Sequence, residues 1–124
     1  MRILTWNVRG LGSEAKSLAV RRLVLSQKVE VLFLQETKKQ EITESEIHRL
    51  WPENELEYRI SNADGMSRGL IVIWDKSKFS LDSSLYDRNF IFLKGIWLQG
   101  GLEVILINVY APCVVSEQSL YGIS

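Results

Sequence analysis

The chain has 124 residues, enough for one domain and too few for two ordinary ones. Its content of 46% apolar and 24% charged residues is that of a globular protein and excludes a disordered one, and fifteen basic residues balance fifteen acidic ones, so the overall basic footprint of a dedicated nucleic-acid binder is absent while a local basic edge is not excluded. The single cysteine, Cys113, excludes an intramolecular disulfide and a thiolate metal cluster; with no histidine near it in sequence, it reads as a small buried or strand-end residue.

The N-terminal residues carry no apolar signal region, and no apolar run approaches the ~18 residues of a membrane span, so the expectation is a soluble intracellular protein, nuclear or cytoplasmic. Residues 2–8 (RILTWNV) predict a strand with Ile3, Thr5 and Asn7 on one face and Leu4, Trp6 and Val8 on the other. Apolar residues on both faces imply a central strand covered on both sides. Gly10 and Gly12 break it. Residues 14–27 predict a helix, with Ser13 as N-cap, Glu14 in the first turn, and Ala15, Ala19, Val20, Leu23 and Val24 at helical spacing. The dense apolar run Val29–Gln35 predicts a second strand. Strand, helix and strand then form a βαβ unit, with parallel strands and a right-handed crossover.

Thr43-Glu44-Ser45-Glu46 is a capping-box pattern that opens a short helix to about Leu50, ended by Pro52. The one histidine, His48, lies in this helix and reads as a surface or partly packed residue. A short strand over Tyr58–Ser61 and a loop over 62–68 follow. Four further strand-like runs cover 69–74, 80–86, 90–99 and 103–110, with Gly100-Gly101 as a hairpin turn between the last two. The second half therefore reads as an antiparallel meander. There is no repeat, low-complexity segment or linker, and the class is α/β or α+β.

Asn7 and Glu36 fall at the C-terminal ends of the two parallel strands, where ligands gather in sheets of this kind. An amide oxygen beside a carboxylate suits a hard cation such as Mg²⁺. The alternative at this point is a solvated glutamate beside a turn-forming asparagine. Tyr110, at the end of the last strand, is either a packed ring with a wet hydroxyl or a donor to a phosphate or developing oxyanion. Asp64 and Asp75 read as turn residues.

Three stretches occur in order: TWNVRGLG at 5–12, VLFLQETK at 31–38 and INVYAP at 107–112, with SRGLIVIWD at 67–75 between the last two. Together they resemble the endonuclease/exonuclease/phosphatase (DNase-I-like) superfamily, over essentially the whole chain. The nearest resemblance is to endonuclease domains of LINE-type (non-LTR) retrotransposons, notably those of plants. Where that pattern usually has a second glycine, this chain has Arg68. The resemblance implies the N-terminal part of a four-layer αββα sandwich and a hydrolase that uses Mg²⁺ to direct water at a phosphodiester of DNA. It implies that Glu36 and Asn7 form the metal site, that Asn7, Glu36 and Tyr110 are the catalytic residues, and that Arg9 and Lys38 line the path of the phosphates.

The superfamily pattern continues past the tyrosine with an Asp-x-Asn motif and then a Ser-Asp-His motif. After Pro112 this sequence reads only CVVSEQSLYGIS. The expectation is thus a partial domain over 1–124 with at most a weak Mg²⁺ site, no activated water and no useful nuclease activity alone. A non-enzymatic interaction module or remnant product, and a phosphatase of the same superfamily, are the alternatives. VLFL, LIVIW and VILINVY would lose part of their cover, which predicts either self-association through an uncovered sheet face or a marginal, short-lived chain.

Overall fold

A strand–helix–strand unit opens the fold in the computed structural model, which describes residues 1–64 and 68–110. Strand β1 (Ile3–Asn7) and strand β2 (Val31–Gln35) pair in parallel, from Ile3 opposite Val31 to Asn7 opposite Gln35. Helix α1 (Glu14–Ser26) joins them. It starts where Ser13 Oγ accepts the Lys16 N–H at 3.1 Å, as its capping chemistry predicts. It ends in a Schellman turn: Val29 N–H donates to Val24 C=O at 3.0 Å and Lys28 N–H to Leu25 C=O at 3.3 Å. Lys28 there takes the left-handed conformation, φ 51°, that glycine would adopt without strain.

Helix α2 (Glu44–Leu50) opens on the Thr43 cap, whose Oγ1 accepts the Glu46 N–H at 3.2 Å. The Lys39 ammonium, 2.6 Å from Glu46, holds that carboxyl below its ordinary pKa. His48 stands on the outer side of α2, 3.9 Å from Glu44, as a surface residue.

Strands β3 (Leu56–Ser61) and β4 (Leu70–Asp75) complete a mixed four-stranded sheet of order β1-β2-β4-β3. Strands β5 (Phe79–Tyr86), β6 (Phe90–Trp97) and β7 (Leu102–Val109) form a separate antiparallel sheet. Alternation along the central strands builds two cores on opposite faces of the first sheet. Leu32, Leu34, Ile71 and Ile73 pack with Val20 and Val24 of α1 and Ile47 and Leu50 of α2. Val31, Leu70, Val72 and Trp74 pack with Phe79, Ile91, Leu93 and Leu106 of the second sheet. The layers run helices, sheet, sheet, which agrees with the predicted class. No helix among the described residues is long and apolar enough to cross a membrane.

Three expectations are corrected. Among the described residues β1 is an edge strand, not a central one. Its two faces are covered by the helices and the second sheet, and face composition reports nothing about lateral pairing. The predicted meander is split: β3 and β4 pair, but at Asp75 the chain crosses to the other sheet. Asp75 Oδ1 accepts the Ser77 N–H at 2.9 Å and makes the turn, as expected of it. Finally, VLFL and LIVIW keep their cover, since β2 and β4 are the most deeply buried strands. The uncovered surface is the outer face of the second sheet, where Leu85, Ile105, Ile107 and Val109 are each about half exposed or more. Ala111, Pro112 and Cys113 lie outside the described residues.

Gly95 holds β5 and β6 together at a close approach. A Cβ there would meet the Ser80 carbonyl at 2.1 Å and the Phe79 ring at 2.8 Å. The adjoining pairing slips between Leu81 and Ser83.

Candidate functional site

The parallel register of β1 and β2 decides where the polar residues go. Asn7 is opposite Gln35, so Glu36 emerges one residue beyond it at the same sheet edge. Asn7 Nδ2 donates to Glu36 Oε2 at 2.5 Å, and Asn7 Oδ1 accepts the Arg9 N–H at 3.1 Å. The Arg9 N–H requires an oxygen, which fixes the amide orientation. The carboxamide therefore closes the turn with its oxygen and orients the carboxylate with its nitrogen.

Main-chain bonds hold the exits of the strands together. Val8, Gly10 and Leu11 N–H donate to Gln35, Glu36 and Thr37 C=O at 3.0, 2.7 and 2.9 Å. From the other side, Thr37 and Lys38 N–H donate to Gly69 and Arg68 C=O at 3.3 and 2.8 Å. Arg9, Glu36 and Lys38 all have φ between 52° and 56°. Left-handed backbone at such residues costs about 1–3 kcal/mol each, and here the double ladder enforces it. Gly69 (φ 89°) permits the closest contact, since a Cβ there would lie 2.2 Å from Thr37 Oγ1.

Two further segments reach the corner. Arg68, just before β4, places Nη1 3.2 Å from Glu36 Oε1. Its guanidinium carbon lies 5.8 Å from the centroid of the Tyr110 ring. Tyr110 is anchored where its N–H donates to Asn89 C=O at 2.9 Å, and its side is half-buried against the second core. Asn7, Glu36 and Tyr110 thus belong to one corner, linked through Arg68. Arg9 and Lys38 are exposed on the segments that frame it.

Two polar residues beneath the corner escaped sequence reasoning. Asn108, only 1% exposed, donates from Nδ2 to the carbonyls of Leu34 at 3.1 Å and Ile71 at 2.9 Å. Gln35 Nε2 donates to Asn108 Oδ1 and to Thr5 Oγ1, both at 2.8 Å. This network ties β7 to β1, β2 and β4, with Gln35 the residue before Glu36. The one available signal was a polar residue at an inward position of β7, between apolar neighbours. An Asp-x-Asn triplet does occur at 87–89, but Asp87 Oδ1 accepts the Asn89 and Phe90 N–H groups at 2.7 and 3.2 Å and serves the β5–β6 turn.

No group of three or more His, Cys, Asp or Glu residues among the described ones is arranged to hold a metal ion. Glu36 alone fits a hard cation that keeps most of its water. Its side chain is 14% exposed, and among the described residues each oxygen engages one donor, so lone-pair directions remain.

The profile of the "Endonuclease/Exonuclease/phosphatase family" matches residues 4–121. No curated protein matches the sequence significantly. Several solved structures share the fold. The human Nocturnin catalytic domain, with a bound sulfate anion, superposes with a TM-score of 0.71 at 14% identity, over 97% of this chain and 52% of that one. The AP endonuclease LMAP from Leishmania major gives 0.62 at 18%, over 97% and 43%. TDP2 of D. rerio, complexed with single-strand DNA product, gives 0.56 at 18%, over 94% and 48%. This chain therefore spans about half the length of the structures it matches.

Proposed function

The chain belongs to the endonuclease/exonuclease/phosphatase family, and on that premise we propose that its Asn7–Glu36 corner is one half of a metal-assisted, phosphodiester-cleaving site for DNA. The observation that carries this reading is the 2.5 Å bond from Asn7 Nδ2 to Glu36 Oε2 at the C-terminal ends of two parallel strands. Glu36 would hold Mg²⁺, which when bound supplies charge stabilisation at a phosphoryl oxygen. Asn7 positions the carboxylate. The Tyr110 hydroxyl serves a phosphate oxygen, and Arg9 and Lys38 attract the backbone electrostatically. The fold shared with an AP endonuclease and with a DNA-bound TDP2 supports DNA as the substrate class. The ordered motifs TWNVRGLG, VLFLQETK and INVYAP support descent from a LINE-type retrotransposon endonuclease of the plant kind.

The 124 residues span about half the length of the structures they match and are expected to be inactive by themselves. Among the described residues the only histidine, His48, sits beside Glu44 on α2, and Glu36 belongs to no cluster of three or more His, Cys, Asp or Glu residues that could hold a metal ion. Absence of an acid–base group costs about 10²–10⁴-fold in rate. A plasmid-nicking assay with Mg²⁺ or Mn²⁺ on the purified chain, with Glu36→Ala as control, should show no Glu36-dependent cleavage. Mn²⁺ binding in about the millimolar range should nonetheless depend on Glu36. Cleavage that vanishes in the variant overturns the inactivity; Mn²⁺ binding unchanged in the variant overturns the site.

A second reading, self-association, is favoured by one observation. Leu85, Phe92 and Ile107 form a single row across the outer face of the second sheet, and Leu85 and Ile107 are 62% and 47% exposed.

A further inference from the structure

Arg68 brings a permanent positive charge to the carboxylate of the corner. Its Nη1 is 3.2 Å from Glu36 Oε1, while Glu36 Oε2 takes the Asn7 amide. On its other side the guanidinium lies over the Tyr110 ring, 5.8 Å from the centroid, within the range of a cation–π contact. The group therefore has two anchors of different kind, one ionic and one aromatic. The Arg68 side chain is 54% exposed and that of Glu36 14%, so solvent reaches the pair from the arginine side.

Two consequences follow from the charge. A carboxylate accepts along about four lone-pair directions, so Arg68 does not seal Glu36. It does make any cation arriving at Oε1 compete with a like charge. A guanidinium released from Glu36 also keeps its aromatic anchor. Its fork of N–H donors matches the oxygens of a phosphate as well as it matches a carboxylate.

We propose that Arg68 is a built-in counter-cation of Glu36: a divalent ion displaces it, and the freed guanidinium, kept over Tyr110, pairs with a phosphate of the nucleic acid. This rests on Glu36 as the metal-binding carboxylate. It makes metal and DNA binding mutually supportive, because the ion releases the anchor that the phosphate uses.

The test uses the 124-residue chain with Arg68→Ala, Arg68→Lys and Glu36→Gln. Mn²⁺ binding is followed by the paramagnetic resonance of free Mn²⁺, and binding of a short DNA duplex by fluorescence anisotropy at fixed low salt. Arg68→Ala should bind Mn²⁺ about two- to fivefold tighter, the range expected for loss of an exposed ion pair, and with Mn²⁺ present should bind DNA weaker by a similar factor. Arg68→Lys should fall between. A merely structural arginine would lower both affinities when removed. If Arg68→Ala leaves Mn²⁺ affinity unchanged or weaker while Glu36→Gln abolishes binding, the counter-cation is overturned and the Glu36 site stands. If Mn²⁺ binding is indifferent to Glu36 throughout, both fall. Unchanged DNA affinity in Arg68→Ala removes the phosphate contact.

Discussion

Asn108 shows how much a single buried amide can organise. It supplies two N–H groups, out of water, to carbonyls on adjacent strands and receives a third bond from the half-buried Gln35. Replacing it with leucine, of similar shape, removes all three bonds while Gln35 keeps Thr5. The expected loss is about 2–4 kcal/mol, read as a lower urea midpoint by circular dichroism. An unchanged midpoint would mean that the two sheets hold together through apolar contact alone. The amide's role was not legible in INVYAP, because its acceptors are main-chain carbonyls 74 and 37 residues away and no local pattern encodes them. Asn7 and Glu36 were legible for the opposite reason. Their meeting follows from the parallel pairing of two strands, and that pairing follows from an obvious intervening helix. Arg68 was visible only as a departure from a glycine-rich pattern; its partners depend on how the segment before β4 returns to the corner.

At the scale of elements, the ends of helices were the most readable features. Ser13 and Thr43 cap as their chemistry dictates, and both helices begin at the residues expected of them. The end of α1 offers a direct test. Lys28 sits in left-handed backbone at a Schellman turn, where glycine is unstrained. Lys28→Gly should therefore stabilise the fold by about 0.5–1 kcal/mol in urea unfolding, against the usual penalty for introducing glycine. A lower midpoint would show that the lysine side chain contributes more than its backbone costs. Strand pairing was less readable. The step from β4 to β5 has the length and composition of a hairpin, yet Trp74 and Phe79 meet edge-to-face across the sheets, 5.8 Å apart, and the two strands never pair.

For the molecule as a whole, the question is what meets the second sheet from outside. The first sheet lies between helices and a second sheet, whereas the described residues place no helix over Ile105, Ile107 and Val109, which are 47–54% exposed. Apolar surface of this kind promotes association. Light scattering coupled to size exclusion should find the 124-residue chain as a dimer or larger species. The double variant Ile105→Lys, Ile107→Lys should shift it towards monomer with its circular dichroism retained. A wild-type chain that is monomeric at high concentration would rule out this face as a contact between copies.

The Asn108 bonds also bear on the order in which the chain assembles. The βαβ unit closes within residues 3–35. The carbonyls of Leu34 and Ile71 come side by side only after β4 has zipped against β2. Until then the amide of Asn108 has no pair of acceptors to find. Docking of the second sheet is therefore expected to be late, and Asn108→Leu should speed unfolding in stopped-flow urea kinetics while leaving the folding rate almost unchanged. Such a contact slows the opening of the native state and leaves the rate of its formation almost untouched.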